Sequence, residues 1–111
     1  MNLNTLIMED YQGFVALCKQ HKVSKIYGFG SSITENFDPV KSDIDLVVEL
    51  NIKDPVEYGA SLLSLWDGLE EFFNRRVDLL TEDSIKNPYL RKSIEATKKL
   101  VYDGEGAKVF V

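Results

Sequence analysis

The chain has 111 residues, a length at which one domain with its own hydrophobic core is the expected organisation. Its 44% apolar and 28% charged residues are typical of a globular protein. A net charge of −5 argues against an extended nucleic-acid interface, which requires clustered lysine and arginine. With Cys18 as its single cysteine, the chain cannot form an internal disulfide, which favours a cytoplasmic location. No apolar run approaches the length of a membrane span, so we expect no membrane partner.

Hydrophobic spacing in the first part of the chain predicts one helix and two strands. The helix is expected over about residues 4–21, followed by a short strand over 23–29. A polar loop over 32–42 then leads to a strongly apolar strand over 44–50. Parallel pairing of these two strands would require a crossover helix between them, and the connection is too short to make one certain. This argues against an all-parallel sheet.

The second half of the chain predicts a helix, a strand and a further helix. The Asp-Pro pair at 54–55 is typical of a helix start, and a broad apolar face continues to about residue 74. A short strand follows over 76–80, and residues 81–84 form either a turn or a single helical turn. The Asn-Pro pair at 87–88 then predicts a last helix, ending near residue 100.

This order of elements predicts a single domain over residues 1–111 with an α/β (α+β) architecture. Helices are expected to pack against a small mixed sheet. The tail, 103–111, is either a flexible end or a strand that pairs with something, and it is a candidate for contact with a partner or a second copy of the chain.

Two motifs around the first loop indicate a site for a metal-bound nucleotide. Gly30-Ser31-Ser32 forms a turn whose backbone N–H groups, with the hydroxyl of Ser32, could hold a phosphate. Asp43 and Asp45 open the next strand at alternate positions, so their side chains point the same way with backbones roughly 6–7 Å apart. Two such carboxylates repel each other, and Mg²⁺ would remove that conflict.

A third carboxylate, Asp78, is a lone charge in the apolar strand over 76–80. If that strand lies beside 44–50, Asp78 reaches the same pocket. We then expect Asp43 and Asp45 to bridge two Mg²⁺ ions and Asp78 to join the ion that activates an attacking hydroxyl. These three aspartates are therefore the candidate catalytic and metal-binding residues.

Each of these residues also has a structural interpretation that the sequence leaves open. Asp43 and Asp45 could be ordinary solvated acids, and Gly30-Ser31 a plain turn. Asp78 could form a salt bridge with a neighbouring arginine. Arg91, at the start of the last helix, could face a phosphate or a nearby carboxylate. For His21 and Cys18 the structural interpretation is preferred.

The motifs taken together resemble the nucleotidyltransferase superfamily that includes the palm of polymerase beta. Gly30-Ser31, the Asp43-x-Asp45 pair and Asp78 occur in the order of that superfamily. From about residue 23 to residue 102 the chain is similar to the minimal nucleotidyltransferases of prokaryotes, the MNT family. An isolated Gly-Ser or Asp-x-Asp would be a weak signal, whereas three motifs in order are specific.

The resemblance implies a polymerase beta palm-like fold, Mg²⁺ and an NTP substrate, with Arg91 in a region near the nucleotide. Proteins of this family commonly act with a helical HEPN-type partner in a toxin–antitoxin module. There the MNT protein is the antitoxin and can transfer AMP from ATP to a tyrosine hydroxyl of the HEPN ribonuclease. The resemblance thus implies a nucleotidyltransferase that modifies a protein.

One departure from the family pattern supports an alternative. The family often has Gly-Ser-Arg-x-Arg-Gly after the first strand, and here the residues from Gly30 to Glu35 contain neither arginine. Lys41, Arg75 or Arg76 could supply the missing charge. The alternative is an antitoxin that neutralises its partner by occlusion, without chemistry. Transfer to a small molecule ranks below both, because a short chain offers few walls for such an acceptor.

Overall fold

The computed structural model describes residues 3–30, 43–104 and 108–109. Its helices are α1 (Leu3–Met8), α2 (Tyr11–Gln20), α3 (Pro55–Phe73) and α4 (Pro88–Thr97). Its strands are β1 (Val23–Gly28), β2 (Ile44–Leu50), β3 (Val77–Leu80), β4 (Lys99–Asp103) and β5 (Lys108–Val109). One turn of 3-10 helix, Glu82–Ser84, lies between β3 and α4.

The strands of the described residues form one mixed sheet in the order β3-β2-β1-β4-β5. Strand β1 is antiparallel to both of its neighbours, β2 and β4, whereas β2 and β3 are parallel and are joined through α3. The predicted mixed sheet with packed helices is therefore confirmed. Asp54 and Asn87 are the N-caps of α3 and α4, as the sequence predicts, and each accepts hydrogen bonds from backbone N–H groups of its helix.

The two faces of the sheet bury two separate hydrophobic clusters. The larger cluster lies under α1, α2 and α3, and its strand residues include Ile44, Leu46 and Val48 of β2. The smaller cluster lies on the opposite face, where Ile94 of α4 packs with Phe29, Val47 and Ile85. Because successive residues of a strand point to opposite faces, Asp45 lies on the same face as Val47, the one covered by α4.

The prediction of one continuous helix over 4–21 is wrong. The chain forms α1 and α2 with a turn between them, and Asp10 is the N-cap of α2. The Asp10 carboxylate accepts a hydrogen bond from the backbone N–H of Gly13 at 3.1 Å. An N-cap residue has non-helical backbone angles, so this cap ends the continuity that hydrophobic spacing suggested.

The prediction that the last helix reaches residue 100 is also wrong. Helix α4 ends at Thr97, and the chain enters β4, which pairs along β1 and buries Val101 and Tyr102. Burial of these two side chains in the larger cluster favours a strand over further helix, a tertiary contact that local propensity does not contain.

Two predicted segments fall wholly or partly outside the described residues. The polar loop predicted over 32–42 is one of them. In the tail, β5 pairs with β4, so the prediction of a paired strand holds for Lys108–Val109, whereas 105–107 and 110–111 lie outside the described residues. In the part of the chain that the structure describes, no helix is both long and apolar enough to cross a membrane.

The approach of Gly104 to β1 generates a prediction for stability. A Cβ atom at Gly104 would lie 2.6 Å from the backbone oxygen of Val23, so Gly104→Ala must move backbone. We expect this variant to lose about 1–3 kcal/mol in free energy of unfolding, measured by urea denaturation.

Gly59→Ala is the matched control, because a Cβ atom at Gly59 would meet no atom within 4 Å. In the interior of α3 this change should stabilise the protein by up to about 1 kcal/mol. Equal stability of the two variants would contradict the close approach at Gly104.

Candidate active site

The parallel pairing of β2 with β3 brings two of the predicted carboxylates side by side. The register sets Asp45 opposite Asp78, with Ile44 opposite Val77. The sequence-based condition that the strand of Asp78 lies beside that of Asp45 is thus met. Both residues are half-buried on the sheet face that carries α4, so the pair remains partly accessible from solvent.

Helix α3 fixes the start of β3 and therefore the position of Asp78. The indole N–H of Trp66 donates to the backbone oxygen of Val77 at 2.7 Å, and the Glu70 carboxylate accepts from the Val77 N–H at 3.0 Å. Ile44 N–H donates to the backbone oxygen of Arg76 at 3.1 Å. The residue that precedes Asp78 is therefore held through both of its backbone polar groups.

Asp45 is the most strongly perturbed carboxylate of the site. Burial first, then the negative charge of Asp78, a hydrogen bond between the two carboxyl groups and the charge of Asp43 raise its pKa from 3.8 to about 6. The charges of the two other predicted aspartates thus both act on Asp45. A half-buried carboxylate whose pKa is raised by burial and by a neighbouring charge is a common sign of a functional position.

The donor set of this site fits Mg²⁺, which prefers carboxylate oxygens with positions left open for phosphate. A divalent cation would remove the repulsion that raises the pKa of Asp45. Within residues 3–30, 43–104 and 108–109, no three His, Cys, Asp or Glu side chains form a preassembled metal cage. The fit therefore rests on the chemistry of the carboxylates.

Gly30 closes the site on the side of β1. Its φ of +61° is a left-handed conformation that favours glycine, and a Cβ atom here would lie 3.1 Å from Oδ2 of Asp45. The preceding N–H, that of Phe29, donates to the backbone oxygen of Asp45 at 3.1 Å. Gly30 is therefore adjacent to the Asp45 carboxylate, and its role in binding a nucleotide stays a prediction. Ser31 and Ser32 lie outside the described residues, and their phosphate contacts stay predictions.

Arg76 carries a positive charge beside the carboxylates. Its Nε lies 3.8 Å from Oδ1 of Asp78, and the two side chains are 73% and 43% exposed. The salt bridge that the sequence offered as an alternative for Asp78 is present, together with the contact to Asp45. Arg75 turns elsewhere and donates to the backbone oxygen of Phe73 at 3.4 Å.

Arg91 has structural contacts in this conformation. Its guanidinium donates to the Glu82 carboxylate at 3.0 Å, to the Glu82 backbone oxygen at 3.1 Å and to the Ile85 backbone oxygen at 2.9 Å. Of the two alternatives for Arg91, the contact with a neighbouring carboxylate is the one present. A nucleotide contact would require these hydrogen bonds to break, and it stays a prediction.

His21 and Cys18 have structural surroundings, as the sequence interpretation preferred. His21 is 7% exposed at the end of α2, with its ring nitrogens 2.9 Å from the Leu17 backbone oxygen and from the Ser64 hydroxyl. Burial raises the pKa of the Cys18 thiol to about 12, which makes it unreactive. Neither residue contacts the carboxylates.

Thr97, at the end of α4, is a site neighbour that the sequence did not indicate. Its Oγ1 accepts a hydrogen bond from the Gly30 N–H at 3.1 Å. The two residues are 67 positions apart, so no local pattern reports the contact. Only knowledge of where α4 ends relative to β1 could have found it.

A mixed sheet that carries aspartates on two parallel strands beside a glycine turn is the arrangement of a nucleotidyltransferase palm. The model of the nucleotidyltransferase domain family matches residues 14–101. The chain therefore belongs to the nucleotidyltransferase domain family, and it is a nucleotidyltransferase enzyme by that membership and by its curated relatives.

Two of those relatives, from Methanocaldococcus jannaschii, are each named "Putative protein adenylyltransferase". One is 37% identical over 83 residues, which cover 75% of this chain and 79% of the relative. The other is 38% identical over 86 residues, covering 78% of this chain and 82% of the relative.

Solved structures share the fold. A structure described as a putative minimal nucleotidyltransferase has a TM-score of 0.57 at 25% identity, covering 89% of this chain and 95% of that one. A toxin–antitoxin structure with AMP-PNP has a TM-score of 0.56 at 22% identity, covering 87% and 76%. A tri-AMPylated HEPN toxin in complex with an MNT antitoxin, from Shewanella oneidensis, gives 0.54 at 21%, covering 86% and 71%. The predicted minimal nucleotidyltransferase fold is thus confirmed.

The raised pKa of Asp45 predicts how stability depends on pH. Between pH 4 and pH 6 the folded protein keeps a proton on Asp45 that the unfolded chain releases, so stability from this group falls as pH rises. Above about pH 6 the penalty is constant. Asp45→Asn should remove it and raise the free energy of unfolding at pH 7.5 by on the order of 1 kcal/mol, after allowance for solvent screening.

The measurement is thermal unfolding of the metal-free protein from pH 4 to pH 8. Asp43→Asn is the matched control and should have a smaller effect, because Asp43 is exposed. A lower melting temperature of Asp45→Asn at pH 7.5, or an unchanged slope between pH 4 and pH 6, would contradict the electrostatic description of the site.

Proposed function

We propose that the chain transfers AMP from ATP to a hydroxyl group of a protein partner with the help of Mg²⁺. The observation that carries the proposal is the pairing of Asp45 with Asp78 across two parallel strands beside Gly30, with Asp43 close enough for its charge to act on Asp45. The name of the two curated relatives supports adenylyl transfer to protein. The structure that contains AMP-PNP supports an adenine nucleotide as the substrate.

The phosphates of the nucleotide are assigned to the turn at Gly30, Ser31 and Ser32. Backbone N–H groups of a turn bind anions, and a left-handed glycine allows such a turn to close tightly. In the MNT family, which the sequence resembles, two arginines often follow the Gly-Ser pair, and they are missing here. Arg76 is well placed to supply part of that charge, because it is 73% exposed and already contacts Asp78.

Mg²⁺ would be held by Asp43, Asp45 and Asp78. When bound, it would neutralise the phosphates and assist the departure of pyrophosphate. The carboxylates also act on their own account, since an ionised Asp45 beside Asp78 creates a negative site that only a cation-bound nucleotide can enter without repulsion.

The proposed reaction is an in-line displacement at the α-phosphorus of ATP. The acceptor hydroxyl oxygen forms a bond to that phosphorus, the bond to the bridging oxygen breaks, and pyrophosphate leaves. The proton of the hydroxyl passes to Asp78. We assign this role to Asp78 because β3 is at the edge of the sheet and 43% of the side chain is exposed, so an acceptor can approach it.

We infer that the acceptor belongs to a HEPN-type toxin and that the chain is its antitoxin. The support is the Shewanella oneidensis complex, in which the HEPN toxin is tri-AMPylated and bound to an MNT antitoxin of the same fold. A protein acceptor also agrees with the net charge of −5. ATP supply and the single buried thiol favour the cytoplasm as the place of reaction.

A second candidate function is neutralisation by occlusion, without transfer. The missing loop arginines favour it, because a triphosphate needs several positive charges. Arg91, a predicted nucleotide contact, also favours occlusion, because its guanidinium is hydrogen-bonded to Glu82 and Ile85 instead. Chemistry is preferred because all three aspartates are retained and two of them are paired.

The first prediction of the transfer hypothesis concerns nucleotide binding. Calorimetric titration of ATP should show binding that requires Mg²⁺ and is weakened at least tenfold by Asp45→Asn, because the carboxylate that holds the cation is lost. Glu49→Gln is the matched control. Glu49 also lies on β2, at an alternate position on the same face, and it should bind ATP like the wild type. Absence of binding by the wild type, alone and with its partner, would contradict the hypothesis.

The second prediction separates transfer from occlusion. The double variant Asp43→Asn, Asp45→Asn should still bind the partner toxin but should fail to add AMP, seen as the absence of a 329 Da mass increase per site.

Toxin neutralisation should then be lost in cells that produce both proteins. If the double variant binds the toxin and still neutralises it, occlusion is sufficient. The adjacent gene offers an inexpensive control, since a HEPN-type neighbour is expected under both functions.

A further inference from the structure

A hydroxyl from the far end of the chain holds the turn at Gly30. The Gly30 N–H donates to Oγ1 of Thr97 at 3.1 Å, and that hydroxyl donates its proton to the Ser93 backbone oxygen at 2.9 Å. Because the proton is directed at Ser93, a lone pair of the oxygen remains for Gly30. Thr97 therefore connects the last turn of α4 to the end of β1.

The opposite side of Gly30 is limited by Asp45. A Cβ atom at Gly30 would be 3.1 Å from Oδ2 of Asp45, and the φ of +61° would be strained for any other L residue. Gly30 is thus enclosed between a hydrogen-bond acceptor on α4 and a carboxylate of the active site. A side chain at position 30 would therefore crowd the Asp45 carboxylate.

We propose that Thr97 is a positioning residue for the nucleotide. Its hydroxyl fixes the backbone of Gly30, which lies beside the Asp45 carboxylate that we propose holds the cation-bound nucleotide. The inference rests on the proposed nucleotide site. A glycine without this hydrogen bond would sample many backbone conformations, and nucleotide binding would then include the entropic cost of ordering Gly30.

The contact also shows what the Gly30 N–H itself binds. This group is occupied by Thr97 and is not a phosphate donor in the present conformation. Thr97 therefore acts on the nucleotide site through the backbone of Gly30. Its effect should appear in the affinity for nucleotide more than in the rate of the chemical step, because Thr97 does not touch the carboxylates.

Thr97→Val tests the proposal, since valine keeps the shape of threonine and removes the acceptor. We expect this variant to bind Mg²⁺–ATP about 3- to 10-fold more weakly, the usual effect of one hydrogen bond. Its KM for ATP should rise by a similar factor with kcat nearly unchanged. The Gly30 amide should exchange with solvent faster, as seen by NMR of the ligand-free protein.

Two controls separate the hydrogen bond from a general effect on α4. Thr97→Ser restores the hydroxyl and should recover wild-type affinity and Gly30 exchange. Ser93→Ala removes an exposed hydroxyl one turn earlier on α4 while keeping the backbone oxygen that Thr97 uses, and it should behave like the wild type. Thermal unfolding confirms that each variant is folded.

Wild-type affinity or unchanged Gly30 exchange in Thr97→Val would overturn the inference. Equal weakening by Thr97→Ser and Thr97→Val in folded proteins would also overturn it, because the hydroxyl would then not be the acting group. Failure of the wild type to bind Mg²⁺–ATP is a different result: it overturns the proposed nucleotide site itself, whereas the exchange of the Gly30 amide needs no ligand.

Discussion

The pairing register between β2 and β3 is the constraint on which the site depends. Asp45 and Asp78 meet only because Ile44 pairs with Val77, and a slip of one residue would turn Asp78 to the other face of the sheet. A strand of four residues has few ladder hydrogen bonds of its own to resist such a slip. The hydrogen bonds of Trp66 and Glu70 to the backbone of Val77 help to fix the register of β3 against β2.

The same helix that sets this register also builds the larger core. Along α3, Leu65, Leu69 and Phe73 are buried against the sheet, while Trp66 and Glu70 reach toward β3. One side of α3 therefore buries apolar side chains in the core, and the adjacent side holds β3 in position. The geometry of the site therefore depends on how the fold packs. The larger core, on the opposite face of the sheet, stabilises the strands that hold the repelling carboxylates in place.

Much of the fold and part of the site could be predicted from the sequence, for identifiable reasons. Asp54-Pro55 and Asn87-Pro88 mark helix starts because capping is local chemistry. The break at Asp10 is also local, but hydrophobic spacing continued through it and concealed the cap. Strand β4 depends on pairing with β1, a contact distant in sequence, and its residues could equally extend a helix.

The site divides in the same way. Asp43, Asp45 and Gly30 could be found because they are neighbours along the chain or flank one loop. The adjacency of Asp78 could be proposed only as a condition, because it required a sheet order. The hydrogen bond between Gly30 and Thr97 joins residues 67 positions apart and leaves no trace in local composition. Arg91 is the opposite case: its position in the sequence suggested a contact with the nucleotide, but its side chain forms a salt bridge with Glu82.

The division of the core into two clusters has a consequence for dynamics. Among the described residues, the cluster under α1, α2 and α3 contains seventeen buried side chains, whereas the cluster under α4 contains Phe29, Val47, Ile85 and Ile94 alone. Cooperative units with little buried apolar area open at lower free energy than the whole molecule. We therefore expect α4 and the 3-10 turn to open locally at a lower free energy than the rest of the fold, and Thr97, at the end of α4, is where such opening would reach the active site.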